Sequence, residues 1–144
     1  MNFKLFFTAL AAVAITATSF AKSPETANTK AQRNLNEEFK DAKQIDWSSK
    51  GSLTEATFEW NGQKLQAFYT QDGEQVALSR QVSVDQLPVK ALHAIKNRYS
   101  DYKTTEAIEF NSADAGLSYY VSMEKGNKKT ILNVSPDGLV SVFK

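Results

Sequence analysis

The sequence predicts an α+β fold built as two copies of one plan: a helix followed by antiparallel strands. Three observations predict it. Asp-Gly stands between strand-like runs twice, at Asp72-Gly73 and Asp137-Gly138, 65 positions apart. The hairpin pairs Asn61-Gly62 and Gly126-Asn127 repeat at the same offset. Two apolar helical stripes, Ala31/Leu35/Phe39 and Ala91/Ile95/Tyr99, align at a constant offset of 60.

Residues 1–21 are expected to be a cleaved signal peptide. Lys4 precedes LFFTALAAVAITAT, and Ser19-Phe20-Ala21 places small residues where a signal peptidase cuts. The apolar run of 14 residues is too short to span a hydrocarbon core of ~30 Å as a helix. The chain has no cysteine, so a lipid-anchored cysteine is excluded and an exported fold cannot rest on disulfides. Removal of the leader leaves residues 22–144, one domain of two repeats over about 28–83 and 84–144. Of the 144 residues, 123 remain, enough to bury a self-sufficient core.

The 17 basic and 16 acidic side chains become balanced once Lys4 is lost. Residues 28–83 carry 7 basic and 8 acidic groups, and residues 84–144 carry 8 and 7. This even mixture gives no electrostatic reason to bind nucleic acid or anionic lipid. No later segment is apolar enough for membrane insertion.

KSPETANT, residues 22–29, reads as a loose polar arm. Ala31, Leu35, Phe39 and Ala42 then recur at spacings of four and three, one stripe of a helix. Asn28 or Thr29 is placed to cap it. A short strand is expected at Gln44–Trp47. Ala56, Phe58 and Trp60 alternate with Glu55, Thr57 and Glu59, a strand pattern. Asn61-Gly62 accepts the positive φ angles of a two-residue hairpin, setting Glu59 opposite Lys64 and Phe58 opposite Leu65. After Asp72-Gly73, Tyr69 is expected opposite Val76, and Ala67 opposite Leu78.

The second half repeats the sequence of elements. Pro88 suits a first helical turn, and Ala91, Leu92, Ile95 and Tyr99 form the stripe. A short strand is expected at Thr105–Phe110. Gly126-Asn127 sets Glu124 opposite Lys129. The turn after Pro136 needs one extra residue, with glycine left-handed, to keep Val134 opposite Val140 and Leu132 opposite Val142. A one-residue slip would invert every side chain. The reading gives about eight strands, with both helices covering one sheet face.

Leu87-Pro88, the stripe through Tyr99, Tyr119-Tyr120-Val121, Lys129–Leu132 and the closing Asp137-Gly138 resemble the PepSY-like family of small exported proteins. The fold of that family is like that of the beta-lactamase inhibitor protein. Phe39, Trp47, Trp60-Asn61-Gly62, Ala67-Phe68-Tyr69 and Asp72-Gly73 form a weaker first copy. The resemblance implies a tandem repeat with a single long, curved sheet, and a binding or regulatory role rather than catalysis. The inhibitor's cysteines are missing, so inhibition of a beta-lactamase does not follow.

Catalytic chemistry has little to stand on. His93, the single histidine, lies off the second stripe with no legible partner for general-base work. Glu37, Glu38 and Asp41 interleave with Lys40 and Lys43 as a solvated helix face. Asp72-Gly73-Glu74 is too short for a calcium loop. There is no phosphate loop or nucleophile elbow. No catalytic residue, metal or cofactor is assigned.

By alternation, the face away from the helices receives Phe68, Tyr120 and Ile131 among polar neighbours. If they cluster, they form an apolar patch with a polar rim, the pattern of a contact site. The leading expectation is a non-catalytic exported binding or regulatory module, periplasmic or secreted. It would recognise a protein, such as a peptidase or an envelope component, through that open face. The alternative is a small-ligand carrier with a pocket between sheet and helices, lined by Tyr99, Tyr119 and Trp60.

Overall fold

The computed structural model describes residues 28–143; the expected leader and most of the polar arm lie outside them. Helix α1 spans Thr29–Glu38 and is followed by strands β1 (Lys43–Lys50), β2 (Leu53–Trp60), β3 (Gln63–Tyr69) and β4 (Gln75–Gln81). A single 3-10 turn, Val84–Gln86, leads into α2 (Val89–Arg98). Strands β5 (Lys103–Ser112), β6 (Gly116–Lys125), β7 (Lys128–Val134) and β8 (Val140–Val142) complete the chain. The eight strands form one open antiparallel sheet in the order β1 to β8.

Local chemistry sets these elements. Asn28 caps α1, its side chain accepting from the Lys30 N–H at 3.0 Å and so satisfying an orphan donor of the first turn. Helix α1 stops at Glu38, and Asp41 takes a φ of 67°. Asn61 and Gly62 take φ of 50° and 74°, the paired positive angles of a two-residue hairpin. Glu59 and Phe58 accordingly stand opposite Lys64 and Leu65. Glu124 stands opposite Lys129, with Nζ to Oε1 at 3.0 Å.

The two Asp-Gly turns are built alike. Gly73 donates its N–H to the Thr70 carbonyl at 3.0 Å, and Gly138 to the Ser135 carbonyl at 2.9 Å. The Thr70 and Ser135 hydroxyls accept from the N–H of Glu74 and Leu139 at 3.2 and 3.1 Å. Both glycines are left-handed, at φ 82° and 83°, and both are seated under the first turn of a helix. A Cβ on Gly73 would meet the Lys30 Cβ at 2.5 Å; one on Gly138 would meet the Lys90 Cβ at 2.8 Å. The repeated dipeptide is therefore the place where each sheet half receives its helix.

Each half has its own core on the helix side. Ala31, Leu35 and Phe39 pack with Ala56, Phe58, Leu65, Ala67 and Tyr69. Ala91 and Ile95 pack with Val121, Met123, Leu132 and Val134 in the other half. Phe58 and Met123 hold equivalent positions, as do Ala67 and Leu132, and all four are buried on the helix side. Trp47 and Trp60 flank the first core. Trp60 meets Phe39 edge-on at 5.5 Å and donates its Nε1–H to the Lys40 carbonyl at 2.9 Å.

Three expectations need correction. Strands β1 and β5 run 8 and 10 residues, longer than Gln44–Trp47 and Thr105–Phe110, because their polar ends continue the ladder to Lys50↔Leu53 and Ser112↔Gly116. Only β8 is short, at 3 residues. Tyr69 pairs with Gln75 rather than Val76; the ladder then shifts by one residue between Phe68 and Tyr69, so that Ala67 still faces Leu78. An extra residue on one strand is how a bulge reconciles a fixed turn with a fixed core face. In the second half, Val134↔Val140 and Leu132↔Val142 stand as expected.

Candidate functional site

The sheet face opposite the helices carries two contrasting regions, and cross-strand register decides both. In the first half, Ser48, Glu55 and Phe68 share a row, as do Thr57, Gln66 and Ser79. Glu55 is buried (5 % exposed). Its carboxylate accepts from Gln66 Nε2 at 2.9 Å and Ser48 Oγ at 3.3 Å, with Lys50 Nζ at 3.5 Å. Ser79 Oγ donates onward to Gln66 Oε1 at 3.1 Å. A buried carboxylate needs such compensation, and this one receives it from within the face.

The second region is aromatic. Phe68 faces Ala77, and the small alanine lets its ring reach diagonally to Phe110 on β5, at 6.2 Å between centroids. Phe110 meets Tyr120 at 6.2 Å, and Tyr120 meets Phe143 at 5.3 Å, with interplanar angles of 81° and 89°. These are edge-to-face contacts, the favoured arrangement of ring quadrupoles. Leu53 and Ala77 join Phe68 and Phe110 as a buried cluster, and Ile108, Tyr120 and Phe143 pack against it. No residue of either helix belongs to this cluster.

The three residues singled out from the sequence all lie on this face. Tyr120 stands opposite Asn133, and Ile131 opposite Ser122, so the two are diagonal neighbours on β6 and β7. Phe68 is joined to Tyr120 through Phe110. Phe68 is only 4 % exposed, however, and forms the floor of the cluster instead of an accessible anchor. Tyr120, Ile131 and Phe143 are half-buried. Burial pushes the Tyr120 hydroxyl above the ordinary tyrosine range, opposed by its hydrogen bond with Asn133. Tyr119 points to the helix side and packs on the second core.

Sequence reading missed Phe110, Ile108 and Phe143. The alternation Val140, Val142 against Ser141, Phe143 carries the signal for Phe143. Alternation puts Ile108 and Phe110 on one side of β5, but which sheet face that side is depends on the pairing of β5 with β4 and β6. Glu106 was also missed. A register shift between Thr104 and Glu106 sets Glu106 opposite Ser122, on the open face beside Ile108. Burial holds its carboxyl above the usual glutamate range.

The remaining candidates are dispersed. His93 is exposed, with Nδ1 3.1 Å from Asn97 Nδ2. Glu37, Glu38 and Asp41 are exposed. Among the described residues there is no group of three or more His, Cys, Asp or Glu side chains able to hold a metal. Tyr99 and Tyr119 pack against the second core and Trp60 against the first, so these three do not line one shared pocket. No helix of the described residues is long and apolar enough to cross a membrane.

No protein-family model matches the sequence, and neither does any curated protein. Solved structures do resemble it. A protein assigned to the periplasm of Bacteroides eggerthii aligns with a TM-score of 0.73 at 22 % identity, over 78 % of this chain and 84 % of its own. A DUF2874 family protein from Bacteroides uniformis gives 0.74 at 19 % identity, over 79 % and 86 %. A BLIP-like protein from Bacteroides fragilis gives 0.69 at 20 % identity, over 78 % and 81 %. At such identities the likeness concerns the fold: an open, eight-stranded antiparallel sheet with two helices, as in a BLIP-like protein.

Proposed function

We propose that the protein is a non-catalytic exported binding or regulatory module that recognises a protein through the open sheet face. The observation that carries the reading is the continuous row Phe68–Phe110–Tyr120–Phe143 on the face that neither helix packs against. Half-buried Tyr120 and Phe143, set on a floor of buried Phe68 and Phe110 and rimmed by serine, asparagine and charged pairs, have the composition of a contact surface. The likeness to a BLIP-like fold and to a protein assigned to the periplasm supports the reading. So does the signal-like segment of residues 1–21. We place the chain with PepSY-like proteins on its Leu87-Pro88, Tyr119-Tyr120-Val121 and Asp137-Gly138 motifs.

Affinity capture from an envelope fraction tests this, comparing wild type with Tyr120→Ala and Tyr119→Ala. Tyr120→Ala should lose the captured partner while staying folded, with only a small drop in melting temperature. Tyr119→Ala should lose stability instead. Equal capture by wild type and Tyr120→Ala would remove the open face from the proposal.

A further inference from the structure

We infer that the segment recognised by the open face is a stretch of polypeptide presenting a lysine or arginine beside an apolar side chain, the cation pairing with Glu106 and the apolar group seated against Ile108, Tyr120 and Ile131. The inference rests on the proposed binding face and deepens it.

The carboxylates of that face differ in their partners. Glu55 has Lys50 and its hydrogen-bond donors. Glu59 stands opposite Lys43 on one side and Lys64 on the other. Glu124 stands opposite Lys103 and binds Lys129 at 3.0 Å. Glu106 stands opposite Ser122, with no cation across from it, and forms no ion pair or side-chain hydrogen bond among the described residues. It is half-buried. A desolvated carboxylate without a cation is unfavourable in the free protein, and an incoming cation relieves it. Truncated or unpaired charges at interfaces are costly for the same reason.

Its neighbours fix the rest of the recognised chemistry. Ile108 lies two residues along β5. Ile131 continues the row of Glu106 and Ser122, and Tyr120 lies diagonally across from Glu106. Carboxylate and apolar side chains are thus within one or two strand spacings, about 5–10 Å, the reach of adjacent side chains on a peptide. The aromatic row runs from β3 to Phe143, just past the end of β8, an extended surface that suits a polypeptide better than a compact ligand enclosed on most sides.

Selection of a random dodecapeptide display library on the purified protein tests the inference. Enriched peptides should carry Lys or Arg within three residues of an aromatic or branched aliphatic residue. A synthetic enriched peptide should bind Glu106→Gln about tenfold more weakly than wild type, the size of one charge-assisted contact. Glu106→Lys should bind the same peptide with its basic residue replaced by glutamate. Enrichment without basic residues, no enrichment, or unchanged binding by Glu106→Gln would overturn the inference. In the last case, loss of binding by Tyr120→Ala would leave the binding face standing. Peptides that bind Tyr120→Ala as well as wild type would overturn both.

Discussion

Arg80 and Glu109 clasp each other across the β4–β5 seam, Nε to Oε1 at 2.8 Å and Nη2 to Oε2 at 3.1 Å. This two-pronged pair joins the first half of the sheet to the second. It lies on the helix side, since Arg80 shares a face with Leu78 and Glu109 with Ala107. The hydrogen bond to Glu109 is the main cause that raises the Arg80 pKa. A planar fork matched to a carboxylate is more favourable than a simple surface pair. A double-mutant cycle on Arg80→Ala and Glu109→Ala should give a coupling of about 1 kcal/mol, read by denaturant unfolding. Additive single mutants would show that the seam is held by backbone pairing alone.

The seated glycines predict a graded series. Gly73→Ala and Gly138→Ala meet both a left-handed backbone and a Cβ contact below 3.0 Å. Gly51→Ala meets only the former, with nothing within 4 Å. The left-handed term costs about 1–2 kcal/mol, so Gly51→Ala should lose about that much and the other two distinctly more. Equal losses at all three positions would mean that the helices move aside freely.

Core and face residues should separate. Leu35→Ala should cost about 2–5 kcal/mol and Phe68→Ala about 3–5 kcal/mol, as for other buried large side chains. Half-buried Tyr120 should lose less on truncation. Urea titration of the three variants checks the order; a Phe68→Ala variant as stable as Tyr120→Ala would place Phe68 outside the packed floor.

Glu106 gives a pH-dependent stability. Burial raises its folded-state pKa, so the folded protein holds that proton more tightly than the unfolded chain. The favourable contribution is fully present below the ordinary glutamate pKa of about 4.3 and is lost as pH rises through the raised value. Lys103, Glu124 and Lys129 occupy the next row of the face and are common to wild type and variant. Glu106→Gln should therefore melt at a modestly higher temperature than wild type at pH 7, and at the same temperature near pH 3.5. A variant less stable than wild type at pH 7 would show that the carboxylate is already compensated.

Legibility in the sequence followed the range of the signal. Asn61-Gly62, Gly126-Asn127 and Asp137-Gly138 fix their hairpins locally, and Glu59↔Lys64, Glu124↔Lys129 and Val134↔Val140 came out accordingly. The seam does not. Strands β4 and β5 are joined through α2, so Arg80↔Glu109 is set by tertiary packing and has no turn to announce it. The open-face position of Phe110 was hidden with it. Bulges were equally silent: Val76 reads as an ordinary strand residue, and Gln44 gives no sign of its φ of 53° at the β1 irregularity. Phe68 was legible as to side but not as to depth, because alternation assigns a face and says nothing of the neighbours that bury it.

The strictly sequential strand order has a consequence for how the chain acquires its structure. Each strand's next neighbour is also the next strand along the polypeptide, and only the passage through α2 lengthens one of these loops. Closing short loops costs little chain entropy, and topologies rich in near-sequence contacts fold fast. A chain threaded outward from its N-terminus can zip one ladder after another, each new strand docking on an edge already in place. No early strand waits, unpaired and prone to aggregate, for a distant one to emerge.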